Sequence, residues 1–379
     1  MVTEKFKKFL NLYSIQFLYS FGHVFAFSLL FLYLFKVGFS NLEIAVFSTL
    51  RFVSVVIILF FIKTVNFRKA ITTGIVLKSF YLAAFACFIA GFEVIQLYVI
   101  AIITGIVIFI FWTPYNIRFF GFGNNGNNAF MGSIIFLLWP ILNVFIPVTA
   151  GFLARDFGFA AVFLITATIT LSSSVFVKRA GKDEPLPFDI KKTLRNSDGV
   201  RTLNMLEGIF EGIMWTAVPL ATISFITSEV DYGIFFSFLG LFGALAAVVL
   251  ARMSDRMKKR TIFIYPTVIL LGISTILAAF SNTLILWAIA NAAIAFVWAL
   301  VSPFQVAIVL DKSKNLVDSM AAREFFMNLG RFFGGIIAIT SLLLFGLSEY
   351  SLVVAGIAML LYAVVIHLKK LYFEVATKR

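Results

Sequence analysis

One cysteine, two histidines and eight prolines in 379 residues leave little material for several whole classes of protein. The single thiol, Cys87, lies in an apolar run, so neither a disulfide framework nor a thiolate metal cluster is possible. His23 and His367 are too few for a histidine-rich metal centre, and no His-Glu-x-x-His or Asp-rich diphosphate motif occurs. The Gly-x-x-x-x-Gly-Lys-Ser/Thr loop is also absent, which argues against ATP-driven transport within this chain. No cofactor and no metal is expected. Charge is scarce as well: Asp, Glu, Lys and Arg make up 13%, against about 25% in soluble domains. With 61% hydrophobic residues and a mean hydropathy of +1.02, a soluble globule is excluded.

Long apolar runs are what the chain has in excess. A helix spanning a bilayer needs about 20 such residues, and windows bounded by charge, Gly, Asn or Pro give twelve. They lie near 12–36, 42–62, 69–91, 95–117, 130–153, 159–178, 203–227, 232–251, 261–280, 283–309, 321–346 and 350–368. The first run is too long for a secretory signal and lacks a small-residue cleavage site, so it reads as a retained span. If the amino end is cytoplasmic, 26 of the 31 Lys and Arg residues fall in cytoplasmic connections and two, Lys36 and Arg155, fall outside; Arg51, Lys78 and Arg331 sit within spans. That asymmetry predicts a multi-pass protein of the cell inner (cytoplasmic) membrane with both termini cytoplasmic. The net charge of +13 is then an orientation signal, and nucleic acid is not an expected partner.

The longest polar stretch, 178–201, separates two sets of six runs, which predicts an N-terminal bundle over 1–180, a cytoplasmic loop over 181–200 and a C-terminal bundle over 201–379. A faint repeat crosses it. At an offset of 188, Glu43 pairs with Asp231, Ala45 with Gly233 and His23 with Glu211; at 189, Thr113-Pro114-Tyr115-Asn116 pairs with Ser302-Pro303-Phe304-Gln305. Six spans per half make such a repeat parallel, about an axis along the membrane normal.

The connection after the eighth run, Ala251-Arg252-Met253-Ser254-Asp255-Arg256-Met257-Lys258-Lys259-Arg260, resembles the Gly-x-x-x-Asp-Arg-x-Gly-Arg-Arg loop of the major facilitator superfamily. Its first-half counterpart, residues 63–69, keeps Arg68 and Lys69 and lacks the aspartate. The resemblance implies an all-α fold of twelve transmembrane helices in two pseudo-symmetric six-helix bundles. It also implies a cavity lined by spans one, four, seven and ten, a gating role for Asp255 and Arg256, and a monomer. Residues 146–151, Ile-Pro-Val-Thr-Ala-Gly, are similar to a worn form of the Gly-Pro-x-x-Gly-Gly motif of exporters in that superfamily, or a packing motif of a bent helix.

An ionisable side chain at the bilayer centre costs about 2.5 to 3.5 kcal/mol on insertion scales, so each marks a cavity or a partner. Glu207 and Glu211 share one face of the seventh run with Trp215. His23 shares a polar stripe with Gln16, Tyr19 and Ser20, and Glu211 is its repeat partner. Glu211, Glu207 and His23 are therefore the expected proton-coupling groups. In the eleventh run Glu324, Asn328 and Arg331 share a face; Arg331, always charged, requires an anion, and Arg51 poses the same demand in the first half. The expected substrate surface is Arg331, Arg51, Tyr19, Trp112, Tyr115, Asn116, Trp215, Trp298, Gln305 and Asn328. Lys78 is set aside as a peripheral residue able to snorkel.

These features predict a secondary active transporter that moves a small polar or anionic organic solute by alternating access, with a proton, or sodium, as coupling ion. A proton-antiport exporter of amphipathic drugs or lipids is the nearest alternative. An integral-membrane enzyme, or an uncoupled channel or scramblase, is the alternative of another class; clustered polar chemistry of the kind an enzyme needs is not evident in the sequence.

Overall fold

The structure is a computed structural model that describes residues 4–87, 93–123, 128–197, 199–254, 261–313 and 315–371. Thirteen helices are described: α1 (Glu4–Val37), α2 (Asn41–Phe61), α3 (Phe67–Cys87), α4 (Val94–Phe120), α5 (Asn128–Ser172), α6 (Val177–Ala180), α7 (Ile190–Asn196), α8 (Arg201–Phe225), α9 (Glu229–Ser254), α10 (Thr261–Ala278), α11 (Leu284–Asp311), α12 (Leu316–Phe345) and α13 (Ser351–Leu368). Two short strands, β1 (Thr64–Asn66) and β2 (Pro185–Pro187), pair antiparallel.

Among the described residues ten helices are long and apolar enough to cross a membrane, where the sequence predicts twelve runs. Two differences account for this. The runs at 130–153 and 159–178 are continuous in one 51-residue apolar stretch, Phe130–Ala180. At about 1.5 Å per residue that is more than twice the roughly 30 Å hydrocarbon thickness. The stretch breaks at Gly158, whose φ of 81° and ψ of 163° are non-helical and require glycine. The run at 261–280 forms the shorter apolar helix Ile264–Ala278.

Helix starts follow their caps. The Glu43 amide donates to Ser40 Oγ at 3.3 Å while the Ser40 amide donates to Glu43 Oε2 at 2.8 Å, a reciprocal capping box that opens α2. At the 188-residue offset Ser228 Oγ accepts from the Asp231 amide at the start of α9, so Ser40 and Glu43 have structural counterparts in Ser228 and Asp231. Asn315 caps α12 through the Val317 and Asp318 amides, and Gly346, left-handed at φ 72°, ends it.

Helix α12 packs along α8 and α2, α5 along α9 and α1, and α13 against α8 and α10. The α8–α12 contact has a cause legible in sequence. Gly208 and Gly212 on α8 face Gly330 and Gly334 on α12, and a Cβ at any of the four would collide with a backbone carbonyl of the other helix. Small residues four apart on both helices allow that approach. Gly151 and Pro147 do the same for α5 and α9, Gly151 lying against the Glu229 carbonyl and Gly233 against that of Pro147. Residues 146–151 thus have a packing role.

Each end of the helix array is stitched differently. At the end where α2 starts, the Lys36 ammonium pairs with the Glu229 carboxylate. At the other end Arg68 donates to the Gly181 and Lys178 carbonyls at 2.6 and 2.8 Å, and Arg118 donates to the Lys182 carbonyl at 3.0 Å. With the β1–β2 pair these bonds hold the 178–188 segment against α3 and α4, while α7 packs on α12.

Candidate functional site

The close approach of α8 and α12 sets two carboxylates against two guanidiniums. Arg331 Nη2 lies 2.5 Å and Nε 2.8 Å from Glu211 Oε2. One turn toward the β1–β2 end, Arg323 Nη2 lies 2.7 Å from Glu207 Oε1. All four side chains are buried. Arg331 is fixed further: it donates to Asn328 Oδ1 at 3.0 Å and its guanidinium stacks 4.5 Å from the Trp215 ring. Asn328 in turn donates to the Glu324 carbonyl and carboxylate, and Asn116 of α4 reaches Glu324 Oε1 at 3.4 Å.

Arg323 is one of the 26 basic residues counted in the expected cytoplasmic connections; α12 begins at Leu316 and buries it, which leaves 25 on that predicted side. The Gly-x-x-x-Gly pairs at 208–212 and 330–334 are the sequence signal that could have matched α8 to α12 and so Glu207 to Arg323.

His23 is not beside Glu211. Its ring stacks on Phe27 at 4.1 Å and meets Trp139 edge-on at 5.4 Å. Arg51 meets no carboxylate among the described residues. Its guanidinium donates to Ser48 Oγ at 2.9 Å and lies 5.3 to 5.9 Å from the rings of Phe47, Phe52 and Phe27. Lys78, set aside in the sequence, is completely buried: its ammonium stands 3.5 Å above the Tyr19 ring and donates to the Tyr19 carbonyl at 3.2 Å.

The remaining expected residues divide. Tyr19, Trp112 and Tyr115 form one aromatic cluster around Phe111, and the Tyr115 hydroxyl donates to Gln16 Oε1 at 2.8 Å. Trp298 packs edge-on against Phe210 at 5.1 Å. Neither amide atom of the buried Gln305 meets a hydrogen-bond partner among the described residues. Asp255 and Arg256 lie outside the described residues. A hollow of about 290 Å³ lies between α5, α9 and α11, lined by Phe130, Leu137, Pro140, Leu250, Ala299 and Pro303 among others; it is mostly apolar and none of the paired charges lines it.

This arrangement of helices has solved counterparts. The structure of the human organic anion transporter MFSD10 (TETRAN) superposes with a TM-score of 0.69 at 14% identity, over 96% of this chain and 99% of that one. A POT family transporter in complex with a thioalcohol-conjugated peptide gives 0.70 at 13% identity, over 98% and 96%. A POT family transporter in complex with 5-aminolevulinic acid gives 0.70 at 13%, over 95% of each chain. The chain has the major facilitator fold. No protein-family model matches the sequence, and no curated protein matches it. At these identities the likeness is one of architecture.

Proposed function

We propose that the protein is a secondary active transporter that carries a small polar or anionic organic solute by alternating access, with residues 1–180 and 201–379 as two six-span bundles rocking about the level of Arg331. The observation that carries this reading is the Glu211–Arg331 pair, buried between α8 and α12 and facing Phe52 of α2 through the Arg331 guanidinium, 5.9 Å from that ring. A buried pair of this kind is held together by mutual neutralisation, and removing either charge leaves the other uncompensated. Protonation of Glu211 frees Arg331 to accept a substrate anion, and departure of the anion returns Arg331 to Glu211. Proton and solute are thereby coupled through one guanidinium.

Contacts between the two proposed bundles support rocking rather than a fixed pore. Lys36 with Glu229 closes one end, and Asn116 with Glu324 and Phe60 with Phe325 close the other. The organic anion, peptide and 5-aminolevulinic acid named for proteins of similar structure are in keeping with a small organic solute. The basic loops favour the cytoplasmic membrane with cytoplasmic termini. One observation favours the amphipath-exporter reading: the apolar hollow between α5, α9 and α11, which suits an alkyl or aromatic group.

The test is a thermal-shift screen of purified protein across solute classes, followed by counterflow of the best stabiliser in proteoliposomes. Transport should respond to an imposed pH gradient, and Glu211→Gln should abolish that response. Movement indifferent to the gradient and unchanged by the substitution would overturn proton coupling through Glu211.

A further inference from the structure

Three basic groups in the first half face no acid. Arg51, Lys78 and His23 come from α2, α3 and α1, and among the described residues none forms an ion pair or hydrogen bond with a carboxylate. They are not scattered. A continuous series of ring and cation contacts runs from Lys78 over Tyr19 to Trp112, Trp139 and His23, then through Phe27 to Arg51. It continues through Phe52 to Arg331 and ends on Trp215. Among the described residues Glu211, on Arg331, is the one carboxylate bonded to a cation of this belt.

Aromatic faces attract cations, but a ring quadrupole does not neutralise a full charge. A buried guanidinium unmatched by acid is in deficit by one negative charge, and a buried amine beside it can take up a proton when an anion arrives. The belt also has uncovered faces: His23, Phe27, Trp112 and Trp139 are only half-buried, and Trp215 is 37% exposed although it stands mid-helix. Positive charge without a partner, beside half-covered rings, is the complement of one chemical class.

We propose that Arg51, Lys78 and His23 form the seat of an organic anion's carboxylate, with the flat aromatic body of that solute lying against Trp112 and Trp139. This rests on the transport reading above and narrows it to aromatic carboxylates. Lys78 and Arg51 hold the carboxylate, and His23 donates a ring N–H to it. Arg331, released from Glu211, lies at the far end of the same belt and accepts the anion as the bundles rock.

The test reads binding rather than movement, so its failure and that of coupled transport are distinguishable. Purified protein is titrated with 1-naphthoate, with 1-naphthamide as the neutral isostere and 1-naphthylmethylammonium as the cation, following tryptophan quenching and thermal unfolding. Naphthoate should quench saturably and raise the unfolding temperature, and the other two should do neither in the same range. Lys78→Met and Arg51→Met should each weaken naphthoate at least about tenfold, whereas Lys78→Arg, which keeps the charge, should stay within about threefold of the parent. If Lys78→Met fails to fold, Lys78→Arg compared with Arg51→Gln carries the test. Equal binding of naphthoate and naphthamide overturns the proposal, and so does naphthoate affinity unchanged by loss of either cation.

Discussion

The Glu207–Arg323 pair allows the sharpest test of how α8 and α12 are held together. The perturbation is a double-mutant cycle of Glu207→Leu, Arg323→Met and the two combined. At 2.7 Å, and with an effective dielectric of about 20, the attraction is about 6 kcal/mol gross. Desolvation of both groups offsets most of it, and the pair is not fully satisfied: Glu207 Oε2 and Arg323 Nε have no partner among the described residues. Each single substitution should therefore cost about 3–5 kcal/mol, because it strands a buried charge, while the apolar double variant should recover to within about 1 kcal/mol of the parent or exceed it. Unfolding in mixed detergent–SDS micelles, followed by tryptophan fluorescence, gives all four corners of the cycle. Two singles within about 0.5 kcal/mol of the parent, or a double equal to their sum, would refute the reasoning that the charges are partners in a dry contact.

Other positions give independent expectations. Gly212→Val sets a side chain against the Arg331 carbonyl; overpacking there should cost about 1–3 kcal/mol or more in the same unfolding assay and disturb the Glu211–Arg331 contact. Arg68→Ala removes two bonds to the Gly181 and Lys178 carbonyls, and trypsin should then cut near Lys182 several-fold faster than in the parent. Lys36→Ala breaks a partly exposed ion pair worth about 0–1 kcal/mol, so it should leave stability almost unchanged and raise the population open at that end by no more than about fivefold, measured as the spin-label distance between cysteines introduced at positions 42 and 347. Ser40→Ala removes the α2 cap and should cost about 1 kcal/mol of unfolding free energy.

Fold class was legible in this sequence because bilayer spans are selected by length and hydrophobicity, quantities that composition windows report directly. The division within 130–178 was legible as well, since Arg155 and Asp156 interrupt the apolar run and the backbone breaks beside them at Gly158. Among the site residues, Glu211 and Arg331 stand out as ions in apolar runs, and they are paired. Arg323 was hidden because it lies about two turns inside α12, where the polar flank 312–318 disguises the helix start. His23 was matched to Glu211 through the repeat, yet residues related by a repeat need not touch; its neighbours are Phe27 and Trp139. Lys78 was undervalued because snorkelling was assumed, whereas the Tyr19 ring and carbonyl hold its ammonium inside. Contacts between distant helices depend on backbone approach, which glycine spacing encodes only once the partner helices are known.

Reciprocal opening of the two proposed bundles around Arg331 can be followed by spin-label distance measurement on a Cys87→Ser background, with one label pair at Leu42 and Leu347 and the other at Phe61 and Ser313. Two populations are expected at each end, with conditions that lengthen the first distance shortening the second. A single fixed distance at both ends, across pH 5 to 8 and with or without a stabilising solute, would contradict it.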